Sequence, residues 1–165
     1  MWAIIKFDPK KINLLKEDLR KKLGNDFLTY NPKLLIQKYK NNKLINNEIN
    51  LLGNYVFCFH KNFNNQKNLE QLRYLRGLKY FLNGFLKNQV EIKSFIDKCK
   101  NLENEKGLIA GNLFEKHLNN YYKFNSGPFA EKIFKIVNLQ RNKIDILMGN
   151  IKTSIKTKKF LFSPV

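Results

Sequence analysis

The run Leu51-Leu52-Gly53-Asn54-Tyr55-Val56-Phe57-Cys58-Phe59 constrains this chain more than any other stretch. It is apolar at successive positions and rich in aromatic and β-branched residues. It is also far shorter than the roughly 18 apolar residues that suit a bilayer span. A segment of this kind belongs in the middle of a sheet, covered on both faces. The rest of the first hundred residues supplies the neighbours such a strand needs. Trp2 to Phe7, with β-branched Ile4 and Ile5, reads as a strand. Asp8 followed by Pro9 is a helix N-cap with proline at the first helical position. Ile12, Leu15, Leu19 and Leu23 then mark one helix face. Lys10, Lys11, Lys16, Lys21 and Lys22 cover the rest, and Gly24-Asn25 is the stop.

Phe27 to Tyr39 reads as strand interrupted at Asn31-Pro32, and residues 40–50 as an exposed hairpin or loop. A polar connection at 62–68 leads into a short helix marked by Leu69, Leu72 and Leu75 and ended by Gly77. Leu78 to Phe85 is a further apolar strand with a turn or bulge at Asn83-Gly84. Ile92, Phe95, Ile96 and Cys99 have helical spacing. The order β-α-β-β-α-β-α predicts an α+β sandwich with helices on a mainly antiparallel sheet.

Composition shifts to Asn, Glu, Lys and Gly after residue 100. We therefore expect a first domain over 1–102, a linker over 103–118 and a small β-barrel over 119–165. The barrel segment carries nine basic and two acidic side chains, the densest positive charge in the chain. Phe129, Ile133, Ile136 and Val137 also fit helical spacing, so a helical hairpin is an alternative for this tail. Thr153, Ile155 and Thr157 favour strand.

Lys and Arg number 31 against 13 Asp and Glu, a formal charge of +18. Charge of this size points to a polyanion such as nucleic acid or a nucleoprotein machine. An AT-rich genome, which enriches Lys, Asn and Ile, is the open alternative. With 43% hydrophobic residues the chain has enough apolar material for a core, which excludes wholesale disorder. Cys58 and Cys99 have no metal-type spacing and suit buried thiols in a reducing compartment. His60 and His117 lie far apart. Phosphate-cradling glycine loops, His-Glu-x-x-His and a nucleophile elbow are all lacking. The expectation is a cytoplasmic, monomeric, non-enzymatic protein without metal, cofactor or membrane partner.

Several motifs in register carry a resemblance. These are a Trp in the first strand, a basic helix, an Asn-Pro pair, the Leu52-Gly53-Asn54-Tyr55-Val56-Phe57 strand, and Arg76-Gly77-Leu78-Lys79-Tyr80-Phe81-Leu82 about twenty residues later. Together they resemble the N-terminal domain of the NusG family. Ser126-Gly127-Pro128-Phe129-Ala130 through Ile144-Asp145-Ile146-Leu147-Met148 resembles that family's KOW domain, whose signature here is Gly127, Pro128 and Phe129. The resemblance implies a transcription elongation or antitermination factor that binds bacterial RNA polymerase, bridges its cleft and suppresses pausing.

It further implies that Tyr55, Phe57, Ile92, Phe95 and Ile96 meet the clamp helices of the β′ subunit. Asn68, Leu69, Glu70 and Gln71 fall where the family meets the gate loop of the β subunit. The same resemblance implies that Lys10, Lys11, Arg76 and Lys79 form a basic ridge toward the non-template DNA strand, with Tyr74 and Tyr80 as candidates to stack on flipped bases. For the KOW domain the resemblance implies a small-subunit ribosomal protein or the termination factor Rho as partner. Two departures stand out. Gly53 occupies the position of the proline that opens the apolar strand, and Ile133 or Phe134 replaces the second glycine of the KOW signature. The second weakens the case for KOW-type nucleic-acid contacts and for Rho, and it favours a specialised RfaH-like paralogue over the housekeeping factor. A KOW-containing RNA-binding or ribosome-associated protein is the rival reading.

Overall fold

The computed structural model describes residues 1–110, 113 and 115–165. In chain order its elements are β1 (Trp2–Phe7), α1 (Ile12–Leu23), β2 (Leu28–Tyr30), β3 (Lys33–Lys40), β4 (Lys43–Asn50), β5 (Tyr55–Phe59), α2 (Gln66–Leu72), β6 (Leu78–Phe81), α3 (Gln89–Lys100), β7 (Leu108–Ile109), β8 (Tyr121–Phe124), β9 (Ile133–Leu139), β10 (Lys143–Met148), β11 (Ile151–Lys156) and β12 (Phe162–Pro164). Two compact units result. One contains residues 1–31 and 50–97, the other residues 32–49 and 98–165.

In the first unit an antiparallel sheet has the order β2-β5-β1-β6. β5 lies inside the sheet, as its two-sided apolar character requires, but it begins only at Tyr55. Leu51–Asn54 form a turn, with the Gly53 amide donating to the Asn50 carbonyl at 3.2 Å. β1 alternates strictly. Ala3, Ile5 and Phe7 are buried, and Trp2, Ile4 and Lys6 are half-buried. The first set shares a core with Leu15 and Leu19 of α1, Val56 and Cys58 of β5, and Leu72 of α2. Asp8 caps the 3₁₀ turn Pro9–Lys11 by accepting from the Lys10 amide at 3.0 Å. β6 stops at Phe81, four residues before the sequence pattern ends, because the chain turns through Asn83-Gly84 and buries Phe85 in the core.

α3 is tied to the sheet by one side chain. The Gln89 amide accepts from the Trp2 N–H at 2.9 Å and donates to the Trp2 carbonyl at 2.7 Å. It supplies both backbone bonds of β1 that β6, pairing from Ile5 onward, leaves unmade.

The second unit contains a five-stranded antiparallel sheet of order β11-β10-β9-β8-β12. Tyr122, Phe124, Phe134, Ile136, Ile144, Ile146, Ile155, Phe160 and Phe162 form its core. Ile133, Ile136 and Val137 lie in β9 and Thr153 and Ile155 in β11, with Phe129 in a turn and Thr157 just past β11, so the tail is built of strands rather than a helical hairpin. The same unit holds the β3–β4 hairpin. Asn41 and Asn42, at φ 51° and 58°, make its two-residue turn, and β7 pairs with β3 in parallel. Within the expected linker of 103–118, residues 108–109 are strand, and Asn104 accepts from the Lys106 and Leu108 amides. Positions 111, 112 and 114 of that stretch lie outside the described residues.

The Arg76-Gly77 pair has a steric reason. Gly77 has φ +82°, and a Cβ there would lie 2.8 Å from the Lys11 Cβ and 2.9 Å from the Lys11 carbonyl oxygen. Its own carbonyl accepts from the Asp8 amide at 2.8 Å. Gly53 also has positive φ, +57°, but open space around it. Gly77→Ala therefore destabilises the chain by about 2–4 kcal/mol, combining left-handed backbone strain with a backbone clash. Gly53→Ala costs only about 1–2 kcal/mol, the backbone part. Urea unfolding of the two variants measures the difference, and equal midpoints contradict the packing account.

Candidate docking groove and basic surfaces

Strand pairing dictates the composition of the open sheet face. Side chains of paired residues in neighbouring strands share a face. Ile4 is opposite Phe57, Lys6 opposite Tyr55 and Tyr80, and Trp2 opposite Phe59. This face is only partly covered by α3, whose Phe95 ring lies 5.9 Å from that of Phe57. The result is a groove of about 440 Å³ lined by Ile4, Leu52, Tyr55, Phe57, Leu82, Glu91, Ile92 and Phe95. Seven of these eight side chains are apolar or aromatic.

Tyr55, Phe57, Ile92 and Phe95, expected from the sequence, therefore converge on one groove. Ile96 does not line it; it is 2% exposed and belongs to the core. Phe57, at 3% exposure, is itself largely core, held between Tyr30 at 6.3 Å and Trp2 at 6.5 Å. Ile4, Leu52, Leu82 and Glu91 were not singled out by sequence. Ile4 was within reach, because antiparallel pairing of the two apolar strands sets it against Phe57.

One end of the sheet face is polar. The Tyr55 and Tyr80 hydroxyls are 2.9 Å apart, and the Lys6 ammonium sits 5.3 and 5.5 Å from the two ring centres. Hydrogen bonding to Tyr80 and the electron-rich phenols raise the Lys6 pKa, so the ammonium is held charged. The Tyr80 hydroxyl is lowered, mainly by its bond with Tyr55 and then by Lys6.

Leu69 and Glu70 of α2 and Lys79 of β6 line a second depression of about 560 Å³, together with Arg73, Tyr80 and the 82–87 turn. Asn68 donates to the Asn62 carbonyl at 3.4 Å, and Gln71 is exposed. Lys10 and Lys11 are exposed beside Gly77 on the chain's return past α1. Arg76 is committed to a partner. Its Nε and terminal nitrogen fork onto Asp18 at 2.9 and 2.6 Å, and its amide reaches the same carboxylate at 3.3 Å. Tyr74 is fully out in solvent at 92% exposure.

In the second unit, Gly127-Pro128-Phe129 is a structural turn. Gly127, φ +84°, passes so close to Phe160 that a Cβ would overlap the ring, and its amide donates to Gln37 Oε1 at 2.6 Å. The Pro128 carbonyl accepts from the Tyr39 hydroxyl at 3.1 Å, and Phe129 packs on Phe124 at 5.8 Å. Among the described residues, no cluster of three or more His, Cys, Asp or Glu side chains is arranged to hold a metal, and no helix is long and apolar enough to cross a membrane.

No family model and no curated protein matches the chain. Among solved structures, one from the MjSpt4:Spt5 complex aligns over 100% of this chain and 98% of its own, at 10% identity and a TM-score of 0.30. Thermotoga maritima NusG, in a structure describing its domain interaction, aligns over 99% and 96%, at 13% identity and a TM-score of 0.34.

The Arg76 guanidinium holds the Asp18 carboxyl at about 2, below its ordinary 3.8. A carboxyl depressed in the folded state stabilises above the unfolded value and loses that contribution as pH falls through the folded one. Wild-type stability therefore declines between about pH 4 and pH 2 by an increment that Asp18→Asn lacks. Thermal unfolding across that window checks it; parallel profiles for the two proteins contradict the pairing.

Proposed function

We propose that this chain is a transcription elongation factor of the NusG kind, a non-enzymatic binding protein that seats the clamp helices of RNA polymerase in the groove of its first unit. The half-open apolar sheet face carries this reading. A soluble protein gains by closing such a face over its core, and here Leu52, Tyr55, Leu82 and Phe95 remain partly or well exposed around one concavity. Ridged apolar side chains on a helix pair fill a groove of this form, with aromatic anchors supplying most of the energy. The motif order from the Trp2 strand to the Gly127-Pro128-Phe129 turn supports the same assignment.

On this reading the depression beside Leu69, Glu70 and Lys79 faces a second element of the polymerase, and Lys10, Lys11 and Lys79 approach the displaced DNA strand. Arg76 acts through Asp18, keeping α1 against the 76–77 turn, rather than as a free phosphate ligand. Holding the clamp closed opposes pausing and termination, and the altered turn signature favours a specialised paralogue of RfaH type. Gly127-Pro128-Phe129 serves the second unit as a scaffold for whichever protein partner it recruits.

Purified core RNA polymerase retains the wild-type chain, and in vitro transcription in its presence yields fewer paused products. Tyr55→Ala combined with Leu82→Ala weakens retention about thirtyfold or more while leaving the fold intact. Both side chains are accessible, whereas truncating core-bound Phe57 costs about 3–5 kcal/mol of stability and confounds the result. Retention on ribosomal RNA alone, or a double variant that binds polymerase like wild type, defeats the proposal.

A further inference from the structure

The three-stranded sheet of the second unit has the order β4-β3-β7, so β4 is an edge strand. The far side of β3 is occupied along its length. Lys33 and Leu34 pair with β7, the Gln37 amide donates to the Asn125 carbonyl at 2.7 Å, and the Tyr39 amide donates to the Glu131 carboxylate at 3.3 Å. The two-residue turn at Asn41-Asn42 makes Lys40 and Lys43 the first hydrogen-bonded pair of the hairpin. It also places Gln37 opposite Asn46, and their side chains bond at 2.7 Å. Odd-numbered residues of β4 therefore bond to β3, while Leu44, Asn46 and Glu48 aim their N–H and C=O groups outward. Among the described residues nothing in the chain pairs with that outward row. β4 also lacks the devices that blunt an edge. It has eight residues and no proline, and its one cation, Lys43, stands at its start. Ile45 and Ile49 share one face and are 40% and 46% exposed. Residues 44–60 are the longest stretch of the chain without Lys or Arg.

We infer that β4 pairs antiparallel with β4 of a second copy of this chain, making a two-fold dimer in place of the monomer expected from the sequence. Two chains of charge +18 repel each other, so copies meet best where cations are absent, and β4 opens the longest stretch of that kind. A two-fold axis normal to a continuous antiparallel sheet sets even-numbered residues against even and odd against odd. With the axis at Asn47, Ile45 lies opposite the partner's Ile49, and Ile49 opposite the partner's Ile45. These are non-hydrogen-bonded pairs, in which side chains approach most closely. Asn46 meets the partner's Glu48 in a hydrogen-bonded pair, and Lys43 falls beyond the end of the partner's strand. An axis at Asn46 instead sets Leu44 against the partner's Glu48 and Lys43 against the partner's Ile49, a mismatch on both faces. Because the far side of β3 is already bonded, pairing closes at two copies and builds no fibre.

Sedimentation velocity of the full chain from about 2 to 400 µM, a range suited to a small interface, tests this. The mass rises with concentration from one chain toward two and goes no further. Ile45→Lys with Ile49→Lys, or Ile45→Glu with Ile49→Glu, sets like charges opposite each other twice and weakens dimerisation about tenfold or more. Ile45→Lys with Ile49→Glu sets opposite charges together and restores the dimer, at a net charge between those of the other two variants. Both positions are well exposed, so the circular dichroism of all three variants stays that of wild type. Asn47→Cys, on the axis, cross-links two copies under mild oxidant, and Asn46→Cys does so far more slowly. The native Cys58 and Cys99 are buried and do not compete. A single-chain mass at every concentration, growth past two copies, equal behaviour of the three double variants, or faster cross-linking through Asn46→Cys overturns the assignment. The test is independent of the groove, since Tyr55→Ala with Leu82→Ala leaves dimerisation unchanged.

Discussion

The first unit depends on β1 being paired on both sides while being covered properly on one face only. Backbone bonding to β5 and β6 satisfies the strand within the sheet, so its two rows of side chains are free to meet different demands. Ala3, Ile5 and Phe7 close against α1 and join the core. Ile4 and Lys6 remain on the other side with Tyr55, Phe57 and Tyr80. A small domain has little apolar area to spare, so leaving part of this row uncovered is a cost in stability. An external partner that covers it would offset that cost.

The second unit solves a different problem. It packs five aromatic rings, from Tyr122, Phe124, Phe134, Phe160 and Phe162, into one small cluster, most pairs meeting edge to face. So dense an aromatic core leaves the outward positions free of any packing duty, and they carry the lysines. The Gly127 turn, keyed to Phe160 and bonded to Gln37, joins this core to the β3–β4 hairpin.

Where one residue type has one physical consequence, the sequence was readable. The Asp8-Pro9 cap, the α1 stripe, the central position of the Tyr55–Phe59 strand and the short strands of the tail all follow from local periodicity and turn chemistry. The strand character of 33–39 was visible and 40–50 read as an exposed hairpin or loop, but neither the β3–β4 pairing nor its membership of the second unit was. That depends on long-range bonds such as Gln37 to Gly127, which no local pattern encodes. Likewise Arg76 reads as an exposed cation until Asp18, distant in sequence, is found beside it. In the groove, Tyr55, Phe57, Ile92 and Phe95 stood out as aromatic and helical-period residues. Leu52 sits in a turn, where apolar character carries no periodic signal, and Leu82 lies just past the end of β6, its amide donating to the Ile4 carbonyl at 2.8 Å. Ile96 keeps the helical period of its neighbours, yet a small rotation about the α3 axis takes it into the core.

The Gln89 amide gives the groove a fixed jaw. With one side chain completing both bonds of Trp2, the start of α3 is pinned to the end of the sheet, and the gap between Phe95 and Ile4 is set before any visitor arrives. On the proposed reading, recognition at such a slot is by caliper: a guest of the right girth enters a shape already made, and entry entails little loss of freedom in the host.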